Sequence, residues 1–306
     1  MNTKVNSFDE YIGQDSAKAI LKPALEATRF GKQLDHICFF GPAGTGKSTV
    51  ASLIAGYLGT NCVTIDSRNL KEVKDFLNIV SKLSDGDVLF LDEIHGLDKN
   101  LEELLYLAID HFRINTTDKD GNLIVMELPH FTLVGATTKL GEISKPLKSR
   151  FGLVIELESY SVEELTQIVI RKGVANDVYF TNDAAREVAR RARGTARVAE
   201  KLISRVQDYT LIENEILVDD DMVKRVMKNL GIDRTGMTKP DRRYLEVMYK
   251  NFNNNPTSLP SLAAALNDST DNIAETIEPF LIQNGFINRT PKGRVLTVSG
   301  LAAAQG

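Results

Sequence analysis

Eight consecutive residues, Gly41-Pro42-Ala43-Gly44-Thr45-Gly46-Lys47-Ser48, have the types and spacing of a loop that cradles phosphate. Glycine at 41, 44 and 46 lets main-chain N–H groups come close to anionic oxygens that a Cβ would hold off. The Lys47 ammonium would reach the β- and γ-phosphates of ATP, and the Ser48 hydroxyl would ligate Mg²⁺. Thr45 and Thr49 belong to the same nucleotide-binding run. The apolar segment His36–Phe40 before the loop reads as a buried strand. After it, Val50, Ile54, Tyr57 and Leu58 recur at helical spacing, with Gly59 as the expected stop. Strand, glycine-rich loop and helix are the setting that phosphate binding requires.

A second constellation lies downstream. Val88-Leu89-Phe90-Leu91 is an apolar run that delivers Asp92-Glu93 at its C-terminal end, where ligands sit in open α/β sheets. Asp92 would hold Mg²⁺ through water, and Glu93 would orient and activate an attacking water. Taken alone, Asp92 capping a helix and Glu93 on its first turn would explain the pair. Combined with the phosphate loop, the pair reads as the hydrolytic half of an ATPase site. Thr138 ends the run Gly135-Ala136-Thr137-Thr138, in position to sense the γ-phosphate or hold the lytic water; a strand-end turn is the alternative. Arg150, before Phe151, is a candidate arginine finger acting in trans, against a plain salt-bridged arginine. Arg197, in the helix-opening run Gly194-Thr195-Ala196-Arg197, is a candidate to reach back across the nucleotide cleft; a plain helix-surface arginine is the alternative.

The elements that must position these groups follow from pattern. From Phe8 to about Glu158, strands and helices alternate as in a parallel α/β sheet, with strands expected at 36–40, 62–66, 88–91, 131–136 and 153–157. Phe112 to Leu128, centred on Asp118-Lys119-Asp120-Gly121-Asn122, has hairpin chemistry. Ser161 opens a helical region with a capping box to Glu164, and helices are expected at Asn182–Arg193, Thr195–Ile212 and Asp219–Asn229, which makes this part all-helical. The last part predicts helices near 241–251, 258–266 and 270–284. Strands at Phe286–Arg289 and Arg294–Val298 follow, so the simplest reading is a winged helix-turn-helix. The expected domains are an ATPase domain at 1–158, a small helical domain at 159–231 and a winged helix at 232–306. In the wing, Arg289, Lys292 and Arg294 bracket a Pro-Gly turn and are candidate contacts to a DNA backbone.

Composition bounds the rest. The 306 residues are enough for two or three domains, with 42% hydrophobic and 25% charged residues as in ordinary globular proteins. A net charge of −4 excludes a protein coated in positive charge, so any nucleic-acid contact must be local. No apolar run has the length of a membrane span, and Met1–Ser7 lacks the apolar core of a signal peptide. Cys38 and Cys62 sit in expected strands and read as reduced small hydrophobes; a disulfide is the weaker alternative. The expected compartment is the cytoplasm. The histidines lack metal-ligand spacing, and His95 is expected beside the Asp92-Glu93 pair.

These motifs in this order resemble the AAA+ ATPases, and most closely the RuvB family of Holliday junction branch migration motors. Further carriers are Asp9-Glu10-Tyr11-Ile12-Gly13-Gln14, Arg150-Phe151-Gly152, Asp241-Arg242-Arg243, Leu262–Leu266, Glu278–Phe286 and Arg289–Arg294. The C-terminal segments make the resemblance specific, since AAA+ proteins in general lack them. The resemblance implies that Thr138 is a first sensor, Arg150 the finger acting on a neighbour's ATP and Arg197 a second sensor. It also implies that Tyr11, Ile12 and Tyr160 flank adenine, and that a hexameric ring encircles duplex DNA and works with RuvA on Holliday junctions.

Departures from the family pattern bear on two contacts. Val5-Asn6-Ser7-Phe8 stands where the family has Leu-Arg-Pro, Lys139 replaces an arginine and Ala196 a proline. The hairpin is shorter and begins Asn115-Thr116-Thr117-Asp118, where the family has apolar residues that dock RuvA; Leu123, Val125 and Met126 remain as apolar candidates. Two other readings compete. One is a clamp-loader-like or protein-remodelling AAA+ ATPase, although Leu70–Asp85 lacks the aromatic-glycine pair of peptide-threading loops. The other is a nucleotide-gated DNA-binding module with a vestigial ATPase, which intact Lys47, Asp92, Glu93 and Arg150 oppose.

Overall fold

The structure, a computed structural model, describes residues 7–117 and 123–305. The chain divides into two units, residues 1–168 with 194–198, and residues 169–193 with 199–306. In the first unit the strands are β1 (Ile37–Phe40), β2 (Cys62–Asp66), β3 (Val88–Asp92), β4 (Arg113–Thr117), β5 (Leu123–Glu127), β6 (Thr132–Thr137) and β7 (Leu153–Glu156). Five of them form a parallel sheet in the order β2-β3-β6-β1-β7, and β4 and β5 pair separately as an antiparallel hairpin. The five expected sheet strands are present within one residue at each end.

Alternation along these strands sorts the core into two layers. Leu89, Leu91 and Leu133 face one cluster with Phe76, Val80, Leu101, Leu105 and Ala108. Val88, Phe90, Val134 and Ala136 face the other, with Leu21, Leu25, Val50 and Ile54. Helices α1 (Asp15–Thr28) and α2 (Lys47–Leu58) therefore cover one side, and α3 (Val73–Val80) and α4 (Lys99–His111) the other. Strand β6 is buried along its whole length, as a central parallel strand must be. Gly59 ends α2 at φ 70°, the left-handed conformation that favours glycine at a helix C-terminus. The short helix α5 (Lys145–Lys148) is capped by Ser144, whose Oγ accepts from Leu147 N.

The expected capping box at Ser161 is formed: Ser161 N donates to Glu164 Oε2 at 2.7 Å and Glu164 N to Ser161 Oγ at 3.2 Å, at the start of α6 (Val162–Ala175). The second unit carries α7 (Asn182–Arg191), most of α8 (Ala196–Glu213) and α9 (Asp220–Leu230). This part is not all-helical. Tyr179–Phe180 (β8) and Leu217–Val218 (β9) pair in parallel. Two-residue strands have too few positions to show alternation, so periodicity misses them.

The C-terminal part is a winged helix: α10 (Lys239–Phe252), α11 (Leu259–Leu266), a third helical segment, and the hairpin β10 (Ile287–Thr290) with β11 (Gly293–Leu296). The third segment was expected as one helix over 270–284. It is α12 (Thr270–Asn272), a π-helical stretch Ile273–Ile277 and α13 (Glu278–Gln283). Pro279 supplies the reason, because it offers no N–H and its ring clashes with the carbonyl four residues back, so the helix widens before it. A final helix, α14 (Val298–Gln305), follows the wing where the sequence suggested only a strand end. Leu245, Met248, Leu262, Phe280, Leu281 and Ile287 fill the core of this part.

His36 ties the sheet to α4. Its Nδ1 accepts from Leu133 N at 3.0 Å, which leaves Nε2–H to donate to Ile109 O at 3.3 Å. Burial lowers its pKa, against smaller raising effects of the Ile109 bond, Asp110 and Asp35. A base whose folded pKa is depressed stabilises the fold fully above its unfolded value, and that contribution falls as pH drops through it. Unfolding free energy is therefore expected to decline from about pH 6.5 downward, before carboxylates titrate. A His36→Gln chain should lose that dependence when denaturant melts are compared between about pH 7 and pH 5.5.

Candidate active site

The phosphate loop is built by close approach of main chains. Gly41, Gly44 and Gly46 have φ of 145°, 83° and 100°. A Cβ on Gly41 would sit 2.1 Å from Leu157 O, and one on Gly46 would sit 2.3 Å from Tyr11 Oη. On Gly44 it would meet the Arg197 Cβ at 2.9 Å. No L side chain fits at these positions, so glycine here has a physical cause. Sheet register aims the loop: Phe40 pairs with both Thr137 and Glu156, and Gly41 N donates to Thr137 O at 3.2 Å.

Lys47 and Ser48 lie in the first turn of α2, with Thr49 next to them. Lys47 is 7% exposed. Its Nζ donates to Gly41 O at 2.8 Å and Pro42 O at 3.0 Å, so the ammonium already lies within the loop. Burial lowers its pKa, and the nearby Glu93 and Asp92 carboxylates oppose that shift. Thr45 is fully buried, and its hydroxyl closes the turn onto Pro42 O at 2.9 Å. Ser48 is exposed at the helix N-terminus.

Asp92 ends β3, and burial followed by the neighbouring Glu93 raises its pKa. Glu93 adopts φ 48°, ψ 49°, a left-handed conformation that costs a non-glycine residue about 1–2 kcal/mol. That turn carries its carboxylate to β6, where Glu93 Oε2 accepts from Thr138 Oγ1 at 3.1 Å and Thr138 N at 3.3 Å. His95 stands beside the acidic pair as expected, with Nδ1 3.3 Å from Glu93 Oε2. The same nitrogen bonds Thr137 Oγ1 at 2.9 Å. Thr137 is wholly buried, and its hydroxyl also accepts from Lys139 N at 2.9 Å. Sequence reasoning singled out Thr138 and passed over Thr137. A second threonine at the end of a fully buried strand was the available signal. Asp66 was also missed: sheet register sets it beside Asp92, and Arg68 grips it through Nε at 3.0 Å and Nη2 at 2.7 Å.

Tyr11 and Tyr160 reach the loop from distant positions. Tyr160 Oη donates to Thr45 O at 3.1 Å, Tyr11 Oη lies 3.4 Å from the same oxygen, and the two hydroxyls share a hydrogen bond at 3.1 Å. Both rings are buried. Ile12 follows Tyr11 and is half-buried. The segment Gly194–Val198 belongs to the same unit, and Ala196 N donates to Gly44 O at 3.1 Å. The structure thus brings Arg197 to the loop with its side chain exposed.

Arg150 is held elsewhere. Its Nε donates to Asp110 Oδ2 at 2.9 Å and Nη1 to Pro146 O at 2.9 Å, and the guanidinium stacks 4.2 Å from the centre of the Tyr106 ring. None of these partners belongs to the phosphate loop or the Asp92-Glu93 turn.

In the hairpin, Val125 is 48% exposed, whereas Met126 packs against the core. Met126 is therefore not an exposed docking residue, contrary to expectation. Asp118 and the turn it opens lie outside the described residues.

The wing arginines are not free cations. Glu278 is wholly buried. Arg294 Nε donates to its Oε1 and Arg289 Nε to its Oε2, each at 2.8 Å, and Tyr244 Oη donates to Oε1 at 2.9 Å. Burial alone would raise the Glu278 pKa; the bonds from Arg294, Arg289 and Tyr244 outweigh it and hold the carboxyl low. Only Lys292 stands exposed at the turn without such a tie among the described residues. A joint change of all three to Ala would therefore damage the fold as well as any contact. Arg294→Ala is expected to destabilise the winged helix by about 3 kcal/mol. Lys292→Ala should stay within about 0.5 kcal/mol of the parent in thermal melts.

Comparison with known proteins gives this arrangement its relatives. Residues 3–157 match the family described as "Holliday junction DNA helicase RuvB P-loop domain", 160–233 the "RuvB AAA lid domain" and 234–305 the "RuvB C-terminal winged helix domain". The chain is 42% identical over 294 residues to a Holliday junction branch migration complex subunit RuvB of Thermosipho melanesiensis, covering 95% of this chain and 94% of that one. It is 39% identical over 295 residues to the subunit of the same name from Microcystis aeruginosa, covering 95% and 82%. A solved structure titled as the Thermotoga maritima RuvB Holliday junction branch migration motor superposes with TM-score 0.89 at 40% identity, covering 99% of this chain and 98% of that one. With a phosphate loop, an acidic pair, a helical lid and a winged helix in the family's order and along nearly its whole length, the chain belongs to the RuvB family of AAA+ P-loop ATPases.

Proposed function

We infer that this protein is an ATP-driven motor that moves duplex DNA to drive Holliday junction branch migration in recombination and repair, acting with RuvA. The observation that carries the reading is Glu93. A backbone held in a left-handed conformation presents its carboxylate to Thr138 and His95, one residue beyond Asp92, whose carboxyl feels the charge of Lys47 in the phosphate loop. A nucleotide-gated module without turnover would have no use for such a strained, oriented base.

The residue roles follow from chemistry. Gly41, Gly44, Thr45, Gly46 and Thr49 would surround the phosphates of ATP, with Lys47 moving its donors from loop carbonyls to phosphate oxygens. The glycine cradle fits phosphate, and the Ser48 hydroxyl and Asp92 carboxylate are the oxygen donors that Mg²⁺ prefers. Mg²⁺ there would neutralise charge on the β- and γ-phosphates. Glu93 would take a proton from water that Thr138 helps to hold. Tyr11, Ile12 and Tyr160 would border the base, and Arg197 would report nucleotide to the lid. Arg150, turned away from its own loop, would complete the pocket of a neighbour in a hexameric ring. Lys292, with the exposed part of Arg289, would meet the DNA backbone, while Arg294 acts through Glu278. The three family matches support division into an ATPase domain, a lid and a winged helix near residues 158 and 232. Among the described residues no helix is long and apolar enough to cross a membrane, and a role on DNA is consistent with the cytoplasm. With Met126 packed inward, RuvA docking would rest on Val125 and its neighbours, and would be weaker than in relatives with an apolar hairpin.

Steady-state ATP hydrolysis with and without a synthetic four-way junction tests the reading, with strand separation followed on the same substrate. The parent should be stimulated by the junction and should resolve it when RuvA is present. Glu93→Gln should bind ATP and lose at least about a hundredfold in turnover, the usual scale for a positioned base. Lys47→Ala and Arg150→Ala should each be inactive alone and recover turnover when mixed. ATP hydrolysis indifferent to DNA, with no junction movement, would point instead to a remodelling ATPase of another kind.

A further inference from the structure

A cavity of about 400 Å³ lies in the second unit, where α9 ends and the chain turns toward α10. Five of its eight lining residues are cations: Arg191, Lys224, Lys228, Arg234 and Arg242. The one acid is Asp233. In a chain of net charge −4 this is a local concentration of positive charge that the motor reading leaves without a task. It also contains Arg242, from the Asp-Arg-Arg segment.

Two observations separate it from a solvated basic surface. The first is Arg191, which is only 4% exposed. Its Nη1 donates to Glu187 O at 2.8 Å and Glu187 Oε2 at 2.6 Å, but its Nε has no partner among the described residues. A buried guanidinium N–H without an acceptor is rare in folded proteins, and it leaves this lining cation only partly satisfied by Glu187. The second is preorganisation. Arg242 is fixed by Gly231 O at 3.3 Å, Met237 O at 3.2 Å and Asp233 Oδ2 at 3.2 Å. Asp233 is itself engaged: its Oδ1 accepts from Thr235 N, Thr235 Oγ1 and Met237 N at 2.9, 2.7 and 3.0 Å. Lys224 is tied to Asp220 and Asp221, whereas Lys228 and Arg234 are exposed and make no ion pair among the described residues. The C-terminal end of α9 adds a partial negative charge, which Lys228 in its last turn and Arg242 on Gly231 O offset.

We propose that this cavity is a phosphate-binding site, distinct from the nucleotide loop and from the wing. Two fixed guanidinium groups beside the exposed charges of Lys228 and Arg234 suit a multiply charged, oxygen-rich anion better than a single carboxylate. The phosphate comes either from a nucleic-acid backbone or from a free phosphorylated molecule. The proposal does not depend on the motor reading.

The test uses the full chain with Lys228→Glu and Arg234→Glu together, two exposed positions whose change should leave the fold intact. A control carries Lys71→Glu and Lys82→Glu, which alters net charge equally in the other unit. One arm measures duplex DNA affinity against salt; the other measures the melting shift given by pyrophosphate at matched ionic strength, where any contribution of the nucleotide loop is common to all three proteins. If the source is a DNA backbone, the variant should lose at least about tenfold in duplex affinity and flatten the log K against log salt slope by up to about 2. If the source is a free phosphorylated molecule, duplex binding should be unchanged and the pyrophosphate shift smaller than in the parent. Equal behaviour of variant and parent in both arms overturns the proposal, as does a loss in the control equal to that in the variant.

Discussion

Close approach of main chains at the phosphate loop is the constraint on which the rest of this structure depends. Leu157 O, the Tyr11 hydroxyl and the Arg197 Cβ each occupy space that a side chain at Gly41, Gly46 or Gly44 would need. The loop is therefore a meeting point for three separated stretches of chain. The β1–β7 pairing brings Leu157 to it, a two-tyrosine clasp holds Thr45 O, and Ala196 N closes on Gly44 O. A loop fixed from three sides presents its N–H groups to an anion without reorganising, which is what makes such donors effective.

Strand β6 links the phosphate loop to the Asp92-Glu93 turn. It lies between β1 and β3, so its last residues are the shortest route from the phosphate loop to the Asp92-Glu93 turn. Thr137 O holds Gly41 N on one side, and Thr137 Oγ1 holds His95 on the other. Thr138 then takes up the Glu93 carboxylate. Full burial of β6 leaves the Thr137 hydroxyl few alternative partners, and with the exposed Thr138 just past the strand these hydrogen bonds set the orientation of the Glu93 carboxylate and the His95 ring.

Much of this was legible in order and spacing. The glycine pattern, the apolar runs ending in Asp92-Glu93 and Thr137-Thr138, the stop at Gly59 and the Ser161–Glu164 box are local signals, and each appears where the pattern placed it. Long-range partnership was not legible. Tyr11 and Tyr160 meet across 149 positions, and their hydroxyls grip the loop backbone, a contact that no local period encodes. Arg289 and Arg294 read as open cations because the burial of Glu278 depends on how the third helical segment, widened ahead of Pro279, packs behind the wing. The β8–β9 pair failed for the opposite reason, being too short to carry a period.

Backbone approach at the loop shapes the nucleotide site. Equilibrium ATP affinity of Gly46→Ala, compared with the parent by nucleotide-dependent melting, tests it most directly. The added methyl would meet the Tyr11 hydroxyl at a position whose φ is 100°, so ATP binding is expected to be weaker by about tenfold or more, with cooperative unfolding preserved. Parental affinity in a cooperatively folded Gly46→Ala protein would contradict it.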